Sequence, residues 1–293
     1  MLLGALEAGG TKMVLSTGDE HGNIFERISL PTTTPAETMP DIIDFFKGKG
    51  IEALGVGSFG PVDLNRASET YGYITTTPKR PWANFPLYST LKDALGVPVG
   101  FDTDVDAAAI SEHAMGAAKG LSSCLYVTVG TGIGGGLVTD NRILHGAMHT
   151  ELGHIMLRVH KDDPMPHGCC QFHDGCLEGL ASGTAIEARW NVKASTLPDD
   201  HFAWELEAYY LGQMCANAVV MYSPHRIVLG GGVMHKTHLF PMIRKNTRDF
   251  LNGYVNIPEI MENIDSYIVP PALGDNAGAI GSLILAADAL KNK

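Results

Sequence analysis

The chain has no apolar run approaching the about 20 residues that span a bilayer. No basic residue precedes its short apolar start at residues 1–6, which Glu7 ends. These absences argue against a membrane span and a secretory leader, so the expected compartment is the cytosol. Basic charge is also short: 21 Lys and Arg face 32 Asp and Glu, a formal net charge of -11. A nucleic-acid surface needs a basic stripe, so nucleic acid is not an expected partner. Cysteine is scarce and odd in number, at five. Cys169, Cys170 and Cys176 crowd together among histidines, a pattern of metal binding rather than of a disulfide framework. Cys124 and Cys215 lie in apolar surroundings and read as buried thiols. No linker or low-complexity tract interrupts the chain. With 293 residues and 45% hydrophobic content, it holds enough material for two lobes.

What is present centres on His154, Cys170, His173 and Cys176. Two thiolates and two imidazoles form a tetrahedral set that Zn2+ favours, and four protein ligands leave no open position for water. The expected zinc is therefore structural, a clamp on the loop 154–176. Cys170 gives the symmetric spacing to His173 and Cys176; Cys169 is the alternative, and His160 and His167 are lesser ones. His145 and His149 read as surface or supporting residues. Glu151 and Glu178 flank the loop, and two acids fixed by a metal can hold a polyhydroxylated ligand.

Hydrophobic patterning predicts strands over 2–6, 13–16 and 24–30, then a helix over 35–47 opened by Pro35. A strand over 53–56 ends in the turn Gly57-Ser58-Phe59-Gly60-Pro61. A strand over 97–101 precedes a helix over 104–116. The order then starts again, with a strand over 125–129, a glycine turn through Gly136, and a strand over 137–139. Helices over 182–190 and 202–222 follow, then a strand over 226–229, a helix over 239–251 and a closing helix from 276. Each half opens with strand, glycine turn, strand. The turns at Gly9-Gly10-Thr11-Lys12 and Gly130-Thr131-Gly132 can bring backbone N–H groups against an anion. Neither is a P-loop, because no Gly-Lys-Ser/Thr ending and no following helix is present. The Gly132-x-Gly134 turn likewise leads to a strand, unlike a Rossmann fingerprint. With Gly230-Gly231-Gly232, the three turns together point to a bound nucleotide. Lys12 either neutralises phosphate charge or is a solvated hairpin lysine.

The run Val129-x2-Gly132-Ile133-Gly134-x-Gly136-Leu137, with Gly146, Thr150 and Gly153-His154, resembles the signature of the ROK family of sugar kinases and sugar-responsive repressors. The resemblance covers nearly the whole chain. Glu7-Ala8-Gly9-Gly10-Thr11-Lys12 is similar to the first phosphate motif, and Gly57 to Val62 to the sugar-lobe turn. Thr103-Asp104-Val105-Asp106-Ala107-Ala108 is similar to the catalytic motif, and Leu229-Gly230-Gly231-Gly232-Val233 to the adenosine motif. Thr75-Thr76-Thr77-Pro78-Lys79, Trp82, the Cys-x2-His-x2-Cys spacing and Glu7 look like the zinc-containing fructokinase branch. Thr103 and Asp106 depart from the asparagines common in the family; Asp106 adds a negative charge whose direction the sequence leaves open.

The resemblance implies an α/β, two-lobed actin-like or hexokinase-like (ribonuclease H-like) ATPase fold closing over ATP and sugar, with the zinc-binding loop added. The N-terminal lobe would span 1–116, completed by a helix over about 274–293, and the C-terminal lobe 117–273. It implies nucleotide contacts at Gly9, Gly10, Thr11, Lys12, Thr131, Gly132, Ala181, Leu229, Gly230, Gly231, Gly232 and Val233. Sugar contacts are implied at Gly60, Pro61, Trp82, Thr103, Asp104, Glu151, His154 and Glu178. Trp82 either walls the sugar or packs its loop. Asp104 is implied as the general base; spacing alone leaves it equally a helix N-cap. Mg2+ would arrive with ATP. The implied reaction is phosphorylation of fructose at O6, with mannose, glucose or an N-acetyl-hexosamine as alternatives, by a homodimer. A repressor would need a helix-turn-helix before the first phosphate motif, where Glu7 leaves no room. A zinc hydrolase would need an open metal position.

Overall fold

Leu3, Ala5, Leu6 and Ala8 are wholly buried, so the first strand is apolar on both faces, as expected where a strand has a parallel neighbour and covered faces. The computed structural model describes residues 1–291. In chain order the elements are β1 (Leu3–Ala8), β2 (Lys12–Gly18), β3 (Ile24–Pro31), α1 (Pro35–Phe46), β4 (Ala53–Ser58), α2 (Leu87–Leu95), β5 (Val99–Thr103) and α3 (Asp104–Ala114). They continue with β6 (Ser123–Val129), β7 (Ile133–Thr139), β8 (Arg142–Ile143), α4 (Leu177–Ala181), α5 (Gly183–Trp190) and α6 (Ala203–Tyr222). The last are β9 (Ile227–Gly230), α7 (Leu239–Leu251), the single-turn α8 (Pro258–Met261) and α9 (Ile264–Tyr267), β10 (Ile268–Val269) and α10 (Ala277–Lys291).

Two five-stranded sheets result, ordered β3-β2-β1-β4-β5 and β8-β7-β6-β9-β10. The order is the same in both. In the first, β1 pairs antiparallel with β2 and parallel with β4. In the second, β6 pairs antiparallel with β7 and parallel with β9. The repeated strand–glycine–strand pattern is thus a repeated topology. One boundary differs from expectation: the glycines after Gly132 belong to β7 rather than to a turn. A Cβ on Gly135 would lie 3.2 Å from the Tyr126 carbonyl and 3.4 Å from Leu152, so close neighbours account for a glycine inside a strand.

The chain packs as two compact units. The first comprises Met1–Ser111, Arg142–Thr150 and the residues from Asp275; the second comprises Glu112–Asn141 and Glu151–Gly274. In the first unit, α1 and α2 supply Ile42, Phe46, Leu87 and Leu91 to one core. The opposite face of the sheet receives α10, whose Leu283 and Ala286 meet Leu3, Ala5 and Ala53. This contact is nearly backbone to backbone. A Cβ on Gly281 would sit 1.8 Å from the Ala107 carbonyl, so the missing side chain is what lets α10 lie against α3. The exposed edge β3 carries Glu26 and Arg27 outward, a charged edge that resists strand addition.

In the second unit α6 is buried along most of its length, with Trp204, Tyr210, Leu211, Met214 and Cys215 in the core. The segment after His154 is anchored there by a buried ion pair. Arg189 Nε and Nη2 donate to Asp163 Oδ1 and Oδ2 at 2.8 and 3.0 Å, and the Tyr210 hydroxyl donates to Oδ2 at 2.5 Å.

Candidate active site and metal centre

In the first unit, the junction of β5 and α3 gathers three aspartates, Asp102, Asp104 and Asp106. The Thr103 hydroxyl accepts the Asp106 N–H at 3.0 Å and donates to Asp106 Oδ2 at 2.7 Å. Thr103 therefore caps α3. Asp104 is the first helical residue and half-buried, and its Oδ1 accepts the Val105 N–H at 3.0 Å. A carboxylate at a helix N-terminus is stabilised by the macrodipole.

Asp106 is shut off from bulk solvent: it is 1% exposed, and its Oδ1 has no hydrogen-bond partner among the described residues. Burial pushes its pKa up, and hydrogen bonds from His145 and Thr103 oppose that. His145 Nε2 lies 3.1 Å from Asp102 Oδ1 and 3.6 Å from Asp106 Oδ2. Its pKa is raised to about 10, by the hydrogen bond to Asp102 and then that to Asp106, which favours the imidazolium form. His149 is its opposite. The Val62 N–H donates to Nε2 at 3.0 Å, so Nε2 carries no proton, and burial lowers the pKa.

The turn between β1 and β2 is closed by the Gly9 N–H donating to the Lys12 carbonyl at 3.0 Å, while the Thr32 hydroxyl donates to the Gly9 carbonyl at 2.7 Å. Thr11 and Lys12 are exposed there. Just before it, Glu7 Oε2 is buried without a partner among the described residues. Burial raises the Glu7 pKa to about 7, with the Asp104 charge adding and the Arg27 and Lys12 charges subtracting. Gly60 and Pro61 are joined by a cis peptide. The Pro61 carbonyl accepts from the Thr75 N–H and hydroxyl at 2.8 and 3.0 Å. Trp82 is wholly buried; its indole N–H donates to the Thr33 carbonyl at 2.8 Å and its ring packs edge-on to Phe59 and Phe85. Of its two expected roles, loop packing is the one its surroundings support. Thr103, expected at the sugar, is also buried, with its hydroxyl engaged by Asp106.

In the second unit, the Gly130–Gly132 turn is held from several sides. The Gly130 N–H donates to the Gly132 carbonyl at 2.9 Å, the Gly183 N–H to the Gly130 carbonyl at 2.7 Å, and the Thr184 hydroxyl to the Thr131 carbonyl at 2.8 Å. Glu178 Oε2 accepts the Ile133 N–H at 2.9 Å, and a Cβ on Gly132 would come within 2.5 Å of that oxygen. One oxygen of Glu178 thus braces this turn. After β9, Gly231 has φ +89°, and a Cβ there would meet the Val129 carbonyl oxygen at 2.5 Å, so only glycine fits. Around Gly232 a Cβ would find open space. The side chains of Ala181, Leu229 and Val233 are buried in the core; whatever they give a nucleotide must come from the backbone or from shape.

The ligand atoms of His154, Cys170, His173 and Cys176 all lie within 4.8 Å of one another. Cys170 Sγ is 3.9 Å from His154 Nδ1 and 3.5 Å from His173 Nδ1, and Cys176 Sγ is 3.7 Å from His154 Nδ1. A tetrahedral zinc with its usual bond lengths would place sulfur and nitrogen about 3.6 Å apart. The Phe172 and Gly179 N–H groups donate to Cys170 Sγ and Cys176 Sγ at 3.5 and 3.4 Å, the outer support a metal thiolate takes. These residues fit zinc. Cys169 is outside the group; His167 pairs with Asp174 at 2.9 Å, and His160 Nδ1 accepts the Asp162 N–H at 3.2 Å. Glu151 is half-buried, and its carbonyl accepts the His154 N–H at 3.0 Å.

The sequence reading passed over Glu7, Asp102 and the pairing of His145. No spacing rule announces the His145 pairing, because Asp102 lies 43 residues earlier in the chain.

The chain matches the ROK family over residues 3–289. It is similar to a fructokinase of Pediococcus pentosaceus, 46% identical over the full length of both chains. Among solved structures it resembles a ROK hexokinase from Thermus thermophilus, with TM-score 0.79 and 30% identity over 100% of each chain. It also resembles a ROK family glucokinase from Streptomyces griseus in complex with glucose and AMPPNP, with TM-score 0.76 and 26% identity over 98% of this chain and 100% of that one.

Proposed function

Because the chain belongs to the ROK family and has the actin-like sugar-kinase fold, we propose that it is an ATP-dependent hexose kinase acting on D-fructose to give D-fructose 6-phosphate. The full-length likeness to a fructokinase directs the choice of sugar. The observation that carries the chemistry is the half-buried Asp104 carboxylate at the first turn of α3, beside the Thr103 cap.

Phosphoryl transfer asks for an aligned alcohol, a proton acceptor and neutralised phosphate charge. Asp104 takes the proton of the sugar O6 hydroxyl as that oxygen bonds to the γ-phosphorus, and ADP leaves. In the first unit, Gly9, Gly10, Thr11 and Lys12 are assigned to the phosphates, and the backbone of Gly60 and Pro61 to the sugar. In the second, Thr131 and Gly132 are assigned to the phosphates, and the segment from Leu229 to Val233 with Ala181 to the adenosine. Glu151 and the second oxygen of Glu178 are assigned to sugar hydroxyls as acceptors and His154 Nε2–H as a donor, so a missing hydroxyl would leave one of them unpaired. ATP brings Mg2+ as its counter-ion.

Zinc held by His154, Cys170, His173 and Cys176 supplies no reacting group. When bound it would fix the loop, and with it the positions of His154 and Glu178. Exposed Met156, Val220, Met221 and Tyr254 on the second unit suit a homodimer contact, which light scattering during gel filtration would test. Among the described residues, no helix is long and apolar enough to cross a membrane.

The test is ADP release with fructose, mannose, glucose and N-acetylmannosamine, in wild-type and Asp104→Asn protein. The variant should retain its fold and lose kcat by about 10²–10⁴-fold. Near-normal turnover would remove Asp104 as base, and inactivity on every sugar would remove the kinase reading.

A further inference from the structure

His145 and His149 belong to one short segment of the first unit, Arg142–Thr150, and are fastened at different places. His149 Nε2 holds the Val62 N–H beside Gly60 and Pro61. His145 Nε2 reaches Asp102 and Asp106 at 3.1 and 3.6 Å. Those carboxylates stand two residues before and two residues after Asp104.

We propose that His145 is a positioning residue for phosphoryl transfer, an imidazolium clasp that binds the segment Arg142–Thr150 to both carboxylates flanking Asp104. This deepens the assignment above and rests on Asp104 being the base.

The clasp follows from charge. Three carboxylates within five residues repel one another, and each ionised neighbour makes the others harder to ionise. Asp102 and Asp106 are both buried, and buried charge is costly unless paired. His145 is the cation placed between them. It leaves Asp104 flanked by a partly neutralised pair and fixes the end of β5 and the first turn of α3 against one ring. Two features separate this arrangement from a surface salt bridge of little worth. Both carboxylate partners are nearly sealed from water, and the same segment is held at its other end by His149. The groups facing His145 are Asp102 and Asp106, and on its own segment its charge reaches His149.

The test compares His145→Gln, His145→Lys and Asp104→Asn with wild type by initial-rate kinetics on fructose and MgATP between pH 5.5 and 9. Glutamine keeps a donor and loses the charge; lysine keeps the charge. His145→Gln should lower kcat about 10-fold or more, with a smaller change in the fructose KM. Its acid limb of kcat/KM should move up by about half a pH unit or more. His145→Lys should recover most of kcat and return the limb to its wild-type position. Wild-type kcat and an unmoved limb in His145→Gln overturn the proposal, as does a lysine variant impaired equally with no limb shift. Should His145→Gln melt early, the lysine variant decides alone. An inactive Asp104→Asn beside an unaffected His145→Gln sinks the clasp only, whereas an active Asp104→Asn sinks the base and the clasp with it.

Discussion

Glu7 carries a charge that its burial penalises, and neutralising it should stabilise the first unit in a pH-dependent way. Its Oε2 is buried without a partner among the described residues, and its pKa rises from 4.5 to about 7. A carboxyl whose folded pKa lies above its unfolded one keeps its stabilising contribution below the unfolded value and loses it as pH rises through the folded value. The window here is therefore about pH 4.5 to 7. A shift of two and a half units corresponds to about 3 kcal/mol, a ceiling because the residue as a whole is only half-buried. Glu7→Gln removes the titration. The stability difference, variant minus wild type, should rise by about 2–3 kcal/mol between pH 5 and pH 8 and level off above. The amide has its own desolvation cost, but that cost does not vary with pH, so the slope is the diagnostic. Urea unfolding of the apoprotein followed by tryptophan fluorescence gives the number. Trp82 lies in the first unit and Trp190 and Trp204 in the second, so a Trp190→Phe, Trp204→Phe background makes Trp82 the reporter. A difference that stays flat from pH 5 to 8, or falls, would refute a buried ionised Glu7.

Gly281→Ala places a methyl 1.8 Å from the Ala107 carbonyl and must push α10 from α3; a loss of about 1–3 kcal/mol should appear in thermal melts, together with lowered kcat because α3 carries Asp104. If His154, Cys170, His173 and Cys176 hold zinc, chelation should raise hydrogen exchange across residues 164–176 and raise the fructose KM, while amides around Asp163 stay protected by the Arg189 and Tyr210 contacts. Exchange that spreads through α6 on metal loss would show instead that the ion holds the whole unit together.

The separation between what the sequence displays and what it conceals follows range. Local devices were legible. The strand–glycine–strand openings of both halves correspond to β1–β2 and β6–β7, and the four metal ligands form one group because three of them sit within seven residues. The helix α7 falls where expected, near 239–251, since Leu239, Phe240, Ile243 and Leu251 recur on its buried face. By contrast α2 was missed: Leu87 and Leu91 give it a buried face only two residues deep, and Pro86 masks its start. The placement of Asp106 was illegible for another reason. Its spacing from Thr103 fits a cap and its position in the family motif fits a ligand contact, and only the arrival of His145, 39 residues later in the chain, decides that it is a buried partner. The same holds for Glu178, where the metal loop suggested a sugar contact and the Ile133 amide, 45 residues earlier, claims one oxygen. Periodicity and motif spacing report what a residue does to its own turn or strand. Charge pairs that set a side chain's surroundings are made between segments, so Asp104 could be put forward from its motif while its neighbours' partner, His145, could not.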